Sequence, residues 1–185
     1  MTVKRLSAPL SDDDVMQLKA GDNVLISGVI FTGRDSAHKK LVDLVEAGES
    51  LPVDFTGQMI YYVGPSPAKP GKVIGSAGPT TSGRMDAYTP TMLEQGLKVC
   101  IGKGSRNQAV KDALVKHKAV YLASTGGAAA LLARTIKEAE VVAYPELGPE
   151  AIYRLEVADF PATVVNDAHG NDIYEVGRKE YAIND

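Results

Sequence analysis

Short apolar runs alternate with glycine-containing turns and amphipathic segments along this sequence. This alternation restricts the possible fold classes more than any other feature of the sequence. Residues 23–31 (NVLISGVIF) predict a buried strand, and Asp35–Glu46 predicts an amphipathic helix that begins near Asp35 or Ser36 and ends near Gly48. Further strands are predicted at residues 58–63, 97–101, 119–123 and 141–144, with helices ending at His117 and covering residues 128–137. This alternation is typical of an α/β domain.

The last part of the chain is predicted to form a hairpin. Residues 152–157 (IYRLEV) and 162–167 (ATVVND) are two β-prone runs, and residues 169–171 (HGN) carry the chemistry of a tight turn. Segment 64–72 holds three prolines and predicts an exposed connector that is too short to divide the chain. We therefore expect one domain over residues 1–185.

The composition excludes several classes of function. The 185 residues carry a net charge of −3 with no block of five or more like charges, so the basic surface of a nucleic-acid-binding protein is missing. No apolar run approaches the roughly 18 residues that cross a membrane, and the first residues lack a secretory signal. These features predict a cytoplasmic protein that binds neither nucleic acid nor membrane. A single cysteine, Cys100, argues against a metal cluster held by this chain alone.

Four loops at predicted strand ends combine glycine with cationic or hydroxyl residues. Glycine at such a turn lets backbone N–H groups approach an anion, and ligands of open α/β sheets bind at the carboxyl ends of the strands. The loops are residues 31–38, 75–86, 101–107 and 124–130, and they contain Arg34, Arg84, Lys103 and Arg106. The ligand is therefore expected to be an anion.

These loops do not match either of two common nucleotide-binding motifs. Residues 78–85 (GPTTSGRM) have the outline of a P-loop, but Arg84 and Met85 stand where lysine and serine or threonine are required. The run TGGAAAL lacks the glycine spacing of a dinucleotide-binding loop. Two arginines and a lysine instead match a small dicarboxylic acid such as malate, fumarate or tartrate. Taken singly, these residues also fit ordinary roles, with Arg106 as a solvated side chain or helix cap and the hydroxyl residues as caps.

Six blocks of the sequence resemble one enzyme family. They follow one another from about residue 15 to 175 as GRDSAHKKL, GPTTSGRMDAYTP, IGKGSRN, YLASTGGAAALLA, LGPEAIYRLEV and DFPATVVNDAHGND. The blocks are similar to the C-terminal part of class I fumarate hydratases and to the small β subunits of two-subunit fumarase and L-tartrate dehydratase. The resemblance implies a single swivelling β/β/α domain with mixed sheets and flanking helices.

The resemblance also implies a reaction and its residues. The substrate-binding arginine of the GRD block corresponds to Arg34, the arginine of GRMD to Arg84, and the lysine of GKG to Lys103. The threonine of the PTT block, a proposed catalytic base, corresponds to Thr80. The family's larger α part holds a 4Fe–4S cluster that binds the substrate. The chain therefore resembles a β subunit that joins a cluster-bearing α subunit, in an α2β2-type heteromer, to hydrate fumarate reversibly to L-malate.

Each of these residues has a physical role in such a reaction. Removing a proton beside a carboxylate builds up negative charge, which the preorganised donors of Arg34, Arg84 and Lys103 can stabilise, while iron acts as a Lewis acid on the departing hydroxyl. Thr80 is too weakly acidic to act as a base unless nearby cations lower its pKa or it relays the proton. Thr80 and Arg84 share a face if their segment is helical.

Two alternatives to a fumarase subunit remain open. The first is a β subunit of L(+)-tartrate dehydratase, because malate and tartrate differ by one hydroxyl. The second is a dicarboxylate-binding module that performs no chemistry.

Overall fold

A seven-stranded sheet, of which five strands close into a ring, organises the molecule. The structure is a computed structural model that describes residues 3–181. The elements in chain order are β1 (Lys4–Leu6), α1 (Asp12–Met16), β2 (Asn23–Thr32), α2 (Asp35–Glu46), β3 (Met59–Tyr61), a 3₁₀ helix (Ser82–Met85), α3 (Thr89–Glu94), β4 (Val99–Gly102), α4 (Gln108–Lys116), β5 (Val120–Ala123), α5 (Ala129–Thr135), β6 (Ile136–Ala143), a second 3₁₀ helix (Pro145–Glu150), β7 (Ile152–Asn166) and α6 (Ile173–Tyr181).

The sheet mixes parallel and antiparallel pairs. Strands β1 to β5 each run parallel to their neighbours, whereas β7 is antiparallel to β5, β2 and β6. Because β7 pairs with both β5 and β2, the strands β2, β3, β4, β5 and β7 form a closed, barrel-like ring. The predicted α/β architecture with mixed pairing and flanking helices is confirmed.

Apolar side chains cover both faces of the ring strands. One cluster takes residues from all five strands and fills the inside of the ring, including Ile26, Met59, Ile101, Leu122 and Leu155. The opposite face of β3, β4 and β5 packs against α2, α3 and α4 in a second cluster. Strands that are buried on both faces have near-continuous apolar sequences, which explains the runs seen in the sequence.

Most predicted elements of the first two-thirds of the chain are confirmed. Helix α2 has the predicted bounds and buries Ala37, His38, Leu41 and Val42 on one face. Its C-cap is Ala47, and Gly48 follows with a φ of 73°, a conformation that suits glycine. Strands β2 to β5 lie within or close to their predicted ranges, and most of the connector 64–72 is exposed. No helix within residues 3–181 is long and apolar enough to cross a membrane.

The predicted C-terminal hairpin is wrong, because both of its runs belong to the single strand β7. Between Val157 and Phe160 the register against β2 shifts by one extra residue, and Asp159 has a φ of 53°. This bulge bends the strand without ending it, and bulges also tolerate a proline such as Pro161. The turn at residues 169–171 instead connects β7 to α6.

The helix predicted over residues 128–137 is too long. Helix α5 ends at Thr135, and Ile136 begins β6, where it is buried opposite Val157 of β7. The strand predicted at residues 141–144 is the second half of β6. Long-range pairing with β7, which local periodicity does not reveal, decides this boundary.

Candidate active site

The loops that were expected to bind an anion lie at one edge of the sheet. Strands β2, β3, β4 and β5 are parallel, so the segments that follow them meet at their shared carboxyl edge. The segment after β3 returns to this edge, where the Thr80 N–H donates to the Tyr62 carbonyl oxygen at 2.7 Å. The four predicted site residues, Arg34, Thr80, Arg84 and Lys103, all lie on these segments.

Arg34 occupies a slot formed by two carboxylates and a glycine where β2 leads into α2. Its Nε is 3.8 Å from Asp35 Oδ2, and its Nη2 is 3.5 Å from Glu150 Oε1. A Cβ atom on Gly64 would lie only 2.5 Å from Arg34 Nη1, so a side chain at this position would displace the guanidinium from its present place. Within residues 3–181 the buried Nε has no hydrogen-bond partner. The slot therefore fixes the guanidinium while leaving donor capacity unused.

Arg84 reaches the same carboxylate from another loop. It lies on the 3₁₀ helix Ser82–Met85, and its Nε donates to Asp35 Oδ1 at 2.9 Å. Its side chain is 51% exposed, and no second ion pair of Arg84 is found in the part of the chain that the structure describes. One aspartate thus joins the two arginines that the sequence had placed far apart.

Thr80 and Lys103 are brought together by their backbones. The Lys103 N–H donates to the Thr80 carbonyl oxygen at 3.3 Å, and Thr81 pairs with Lys103 as an isolated parallel bridge. Thr80 is partly exposed and Lys103 is exposed, and neither side chain has a hydrogen-bond or ion-pair partner among the described residues. A hydroxyl and an ammonium group therefore remain available at the same edge of the sheet as the arginines.

The helical arrangement considered for Thr80 and Arg84 is wrong. Both backbone groups of Thr80 are used in sheet-like hydrogen bonds to Tyr62 and Lys103, so the segment is extended there. The 3₁₀ helix starts only at Ser82, and Thr81 at its N-cap forms no side-chain cap hydrogen bond. Thr80 is therefore not a helix cap.

Arg106 is buried, which contradicts the expectation of a solvated or capping side chain. Its side chain is 0% exposed, its Nε donates to Asp86 Oδ1 at 2.7 Å, and its Nη2 donates to Thr89 Oγ1 at 2.6 Å. The guanidinium carbon also lies 5.4 Å and 4.9 Å from the ring centroids of Tyr62 and Tyr121. Through these hydrogen bonds, Arg106 links the loop after β4 to the segment that carries Arg84. Its partners are distant in sequence, so no local pattern revealed this role.

Ser82 makes a second buried link beneath the site. Its hydroxyl hydrogen-bonds the Tyr121 hydroxyl at 2.9 Å and accepts from the Lys103 N–H at 3.0 Å. Gly102 leaves room for it, since a Cβ there would lie 2.0 Å from Ser82 Oγ. Burial raises the pKa of Tyr121, so its hydroxyl stays protonated and donates to the Gly104 carbonyl oxygen. The loops of Arg84 and Lys103 are thus tied to one another and to β5.

His38 supports the Arg34 loop as a neutral ring. It is completely buried and packs edge-on against Tyr62, with ring centroids 5.3 Å apart. Burial lowers the pKa of His38 to about 4, so the ring is uncharged near neutral pH. Its Nδ1 lies 2.9 Å from the Arg34 carbonyl oxygen, which can only accept, so Nδ1 carries the proton. The histidine of the GRDSAH block is therefore structural in this arrangement.

A 4Fe–4S cluster does not fit the residues of this chain. Cys100 is fully buried in the second core cluster, and burial raises the pKa of its thiol, which disfavours the thiolate that binds iron. Among residues 3–181 no three histidine, cysteine, aspartate or glutamate side chains are grouped to hold a metal ion.

A groove of about 670 Å³ lies between the connector that follows β3 and helix α5, and none of the four predicted site residues lines it. Its lining includes Lys69, Lys72 and Arg134 together with Val73. Val73 is 50% exposed, and Leu131 on α5 is 61% exposed. This part of the surface is therefore both cationic and apolar.

Comparison with known proteins gives consistent matches over nearly the whole chain. Residues 2–177 match the family described as the fumarase C-terminus. The chain is 45% identical over 175 residues to the anaerobic class I fumarate hydratase of Escherichia coli (strain K12), a match that covers 94% of this chain and 31% of that enzyme. It is 41% identical to a putative class I fumarate hydratase of Geobacillus stearothermophilus, covering 92% and 33%.

A smaller relative matches end to end. The putative L(+)-tartrate dehydratase subunit beta of Methanocaldococcus jannaschii is 40% identical over 179 residues, which cover 93% of this chain and 92% of that subunit. The chain thus spans about a third of the length of the fumarate hydratases that it matches, and nearly all of this separate subunit.

Proposed function

This chain belongs to the family of fumarase C-terminal domains, and we propose that it is the β subunit of a hydro-lyase that reversibly hydrates fumarate to L-malate. The observation that carries the proposal is the grouping of Arg34, Arg84, Lys103 and Thr80 at one edge of the sheet. Three cations suit a substrate with two carboxylates, and a hydroxyl beside them suits proton transfer at the adjacent carbon.

The three cations bind and polarise the substrate. Arginine binds a carboxylate through two parallel N–H donors, and lysine adds a point charge. Proton removal beside a carboxylate transfers charge onto its oxygens, and donors already in place stabilise that charge without reorganising. Arg84 donates from its Nε to Asp35, which supports this role because the terminal amino groups of Arg84 have no partner within residues 3–181 and can face a ligand. Arg34 lies between Asp35 and Glu150 with its Nε donor unused.

Thr80 takes or relays the substrate proton. Its hydroxyl has no partner among residues 3–181, while its backbone is fixed on both sides by Tyr62 and Lys103. An unassisted aliphatic hydroxyl is too weak an acid to ionise near pH 7, so nearby positive charge from Arg84 and Lys103 is required for a base. If that charge does not suffice, the hydroxyl passes the proton to another group as a relay.

A larger α subunit completes the enzyme and holds the 4Fe–4S cluster. Two facts support this assignment: the chain spans about a third of the fumarate hydratases and nearly all of a β subunit, and its one thiol is buried. The groove between the connector and α5, where Val73 is exposed, and the exposed Leu131 on α5 offer an apolar surface for that partner. We propose an α2β2-type heteromer in the cytoplasm.

Tartrate dehydration is the second candidate function. The end-to-end match with the putative L(+)-tartrate dehydratase subunit beta favours it specifically. Tartrate also carries two carboxylates, so the same three cations would bind it, and the choice then depends on residues of the α subunit.

Anaerobic co-expression with the α subunit tests the proposal. We expect the purified complex to contain iron and to interconvert fumarate and L-malate, while each subunit alone is inactive. Assays on both tartrate enantiomers run in parallel, and turnover of tartrate alone would establish the second candidate. A complex that binds dicarboxylates but turns over none of them would contradict both enzyme functions and support a binding module.

Replacing Arg84 with lysine is expected to lower kcat/KM of the complex by about tenfold or more. Lysine keeps the charge but loses the planar fork, and one charged hydrogen bond contributes roughly 1.5–3 kcal/mol. Steady-state kinetics measure the effect. The matched control is Arg5→Lys, because Arg5 also pairs with one aspartate, Asp159, but on β1 and with a side chain 72% exposed. Equal kinetics for the two variants would show that Arg84 does not bind substrate.

A further inference from the structure

We propose that Asp35 is a positioning residue that holds Arg84, and secondarily Arg34, in the orientation needed to bind the substrate. This inference rests on the proposed function of the two arginines. It adds a residue that touches no substrate itself and acts through its ion pairs.

Asp35 is the residue where the two arginine loops meet. Its Oδ1 lies 2.9 Å from Arg84 Nε, and its Oδ2 lies 3.8 Å from Arg34 Nε. Arg34 belongs to the turn after β2, whereas Arg84 belongs to the 3₁₀ helix Ser82–Met85, which a long connector joins to β3. The carboxylate therefore sets the orientation of one guanidinium relative to the other.

The two arginines depend on Asp35 to different degrees. Arg34 has a second anion, since its Nη2 lies 3.5 Å from Glu150 Oε1, and Gly64 leaves the space in which it lies. Arg84 is half exposed and pairs with Asp35 alone in the described part of the chain. Loss of the carboxylate should therefore free Arg84 first.

The contact at Nε determines what remains available on Arg84. A guanidinium is planar, so a hydrogen bond at Nε fixes the plane and leaves the terminal amino groups in a set direction. Asp35 also lies in the first turn of α2, where the helix dipole favours a negative charge and the side chain starts from a rigid backbone. Oδ2 of Asp35 is buried and has no hydrogen-bond partner within residues 3–181. Within residues 3–181 the carboxylate accepts no hydrogen bond from a helix N–H, and its one side-chain hydrogen bond comes from Arg84 Nε.

A paired measurement of chemistry and position tests the inference on the co-purified complex. In the wild-type background, Asp35→Asn is expected to lower kcat/KM by about tenfold or more. In the Arg84→Ala background, the same substitution is expected to lower kcat/KM by less than about threefold, because the effects of residues that act through one another are not additive. The matched control is Asp43→Asn on the same helix, where Asp43 pairs with Lys39 on the surface at 2.7 Å. That control should leave kcat/KM unchanged.

The positional readout does not depend on activity. Phenylglyoxal modification followed by mass spectrometry is expected to label Arg84 at least about threefold faster in Asp35→Asn than in wild type or Asp43→Asn, because an ion-paired guanidinium reacts slowly. If the wild-type complex turns over no dicarboxylate, the proposed function fails, while the labelling still decides whether Asp35 holds Arg84.

Three results would overturn the inference. They are unchanged labelling of Arg84, kinetics of Asp35→Asn that match those of Asp43→Asn, or an equal loss of kcat/KM in the wild-type and Arg84→Ala backgrounds. Asparagine and serine both suit the start of a helix. Should Asp35→Asn lower the melting temperature more than Asp43→Asn does, Asp35→Ser is measured against the same criteria, and failure of both variants to fold would assign Asp35 to structure alone.

Discussion

Replacing Thr80 with alanine should lower kcat of the reconstituted enzyme by about 100-fold or more, the usual loss when a general base is removed. KM should change little, because Arg34, Arg84 and Lys103 would still hold both carboxylates. Thr80→Ser should recover part of the activity, since serine restores the hydroxyl on a backbone that is already fixed by hydrogen bonds to Tyr62 and Lys103.

Thr81→Ala is the matched control for this experiment. Thr81 is the next residue, it is exposed, and its side chain forms no cap hydrogen bond to the 3₁₀ helix. Both alanine variants should unfold at nearly the same temperature, so a difference in kcat would report chemistry. A Thr80→Ala enzyme that retains more than about a tenth of wild-type kcat would remove Thr80 from proton transfer.

Replacing Arg106 with methionine should destabilise the chain by about 3–5 kcal/mol, because Asp86 would be left as a largely buried charge without its partner. Methionine retains the apolar contact with Tyr62 and Tyr121 but removes the donors to Asp86 and Thr89. Urea denaturation of the full chain, followed by circular dichroism, measures the free energy of unfolding.

A double variant separates lost charge pairing from lost packing. Adding Asp86→Asn to Arg106→Met removes the unpaired charge, so we expect recovery of about 1 kcal/mol or more. Arg134→Ala is the surface control, because Arg134 is exposed on α5, and it should change stability by less than about 0.5 kcal/mol. If Arg106→Met were as stable as Arg134→Ala, Arg106 would not fasten the site loops.

The sequence predicts best those elements whose signal is local. Helix α2 has an apolar stripe and a glycine stop within its own residues, and β2 is a continuous apolar run, so both were located almost to the residue. The two halves of β7 could not be joined in this way, because the bulge at Asp159 has the sequence signature of a break. Only pairing with β2, more than a hundred residues earlier, shows that the strand continues.

The same limit applies to the candidate site. Residue types at strand ends and the family resemblance indicated Arg34, Thr80, Arg84 and Lys103, but neither revealed how these residues are held. Asp35 pairs with Arg84 from a distant segment, and Arg106 pairs with Asp86 and so links the loop after β4 to the segment that carries Arg84. The guanidinium of Arg106 is buried against Tyr62 and Tyr121, which come from two different segments. Such contacts exist only after the chain has folded, so a local pattern cannot show them.

Closure of the ring by β7 has a consequence for how the protein folds. Strand β7 spans Ile152–Asn166 yet pairs with β2 at Asn23–Phe31, so the ring stays open until most of the chain has left the ribosome. Contacts of such sequence separation are slow to form, because the entropy of closing a long loop is lost before the contacts are gained. Until then, the edges of β2 and β5 that later pair with β7 stay unpaired. Unpaired strand edges can pair with other chains and so promote aggregation. The loops at the carboxyl ends of these strands are therefore in their final places only after the last strand has closed the ring.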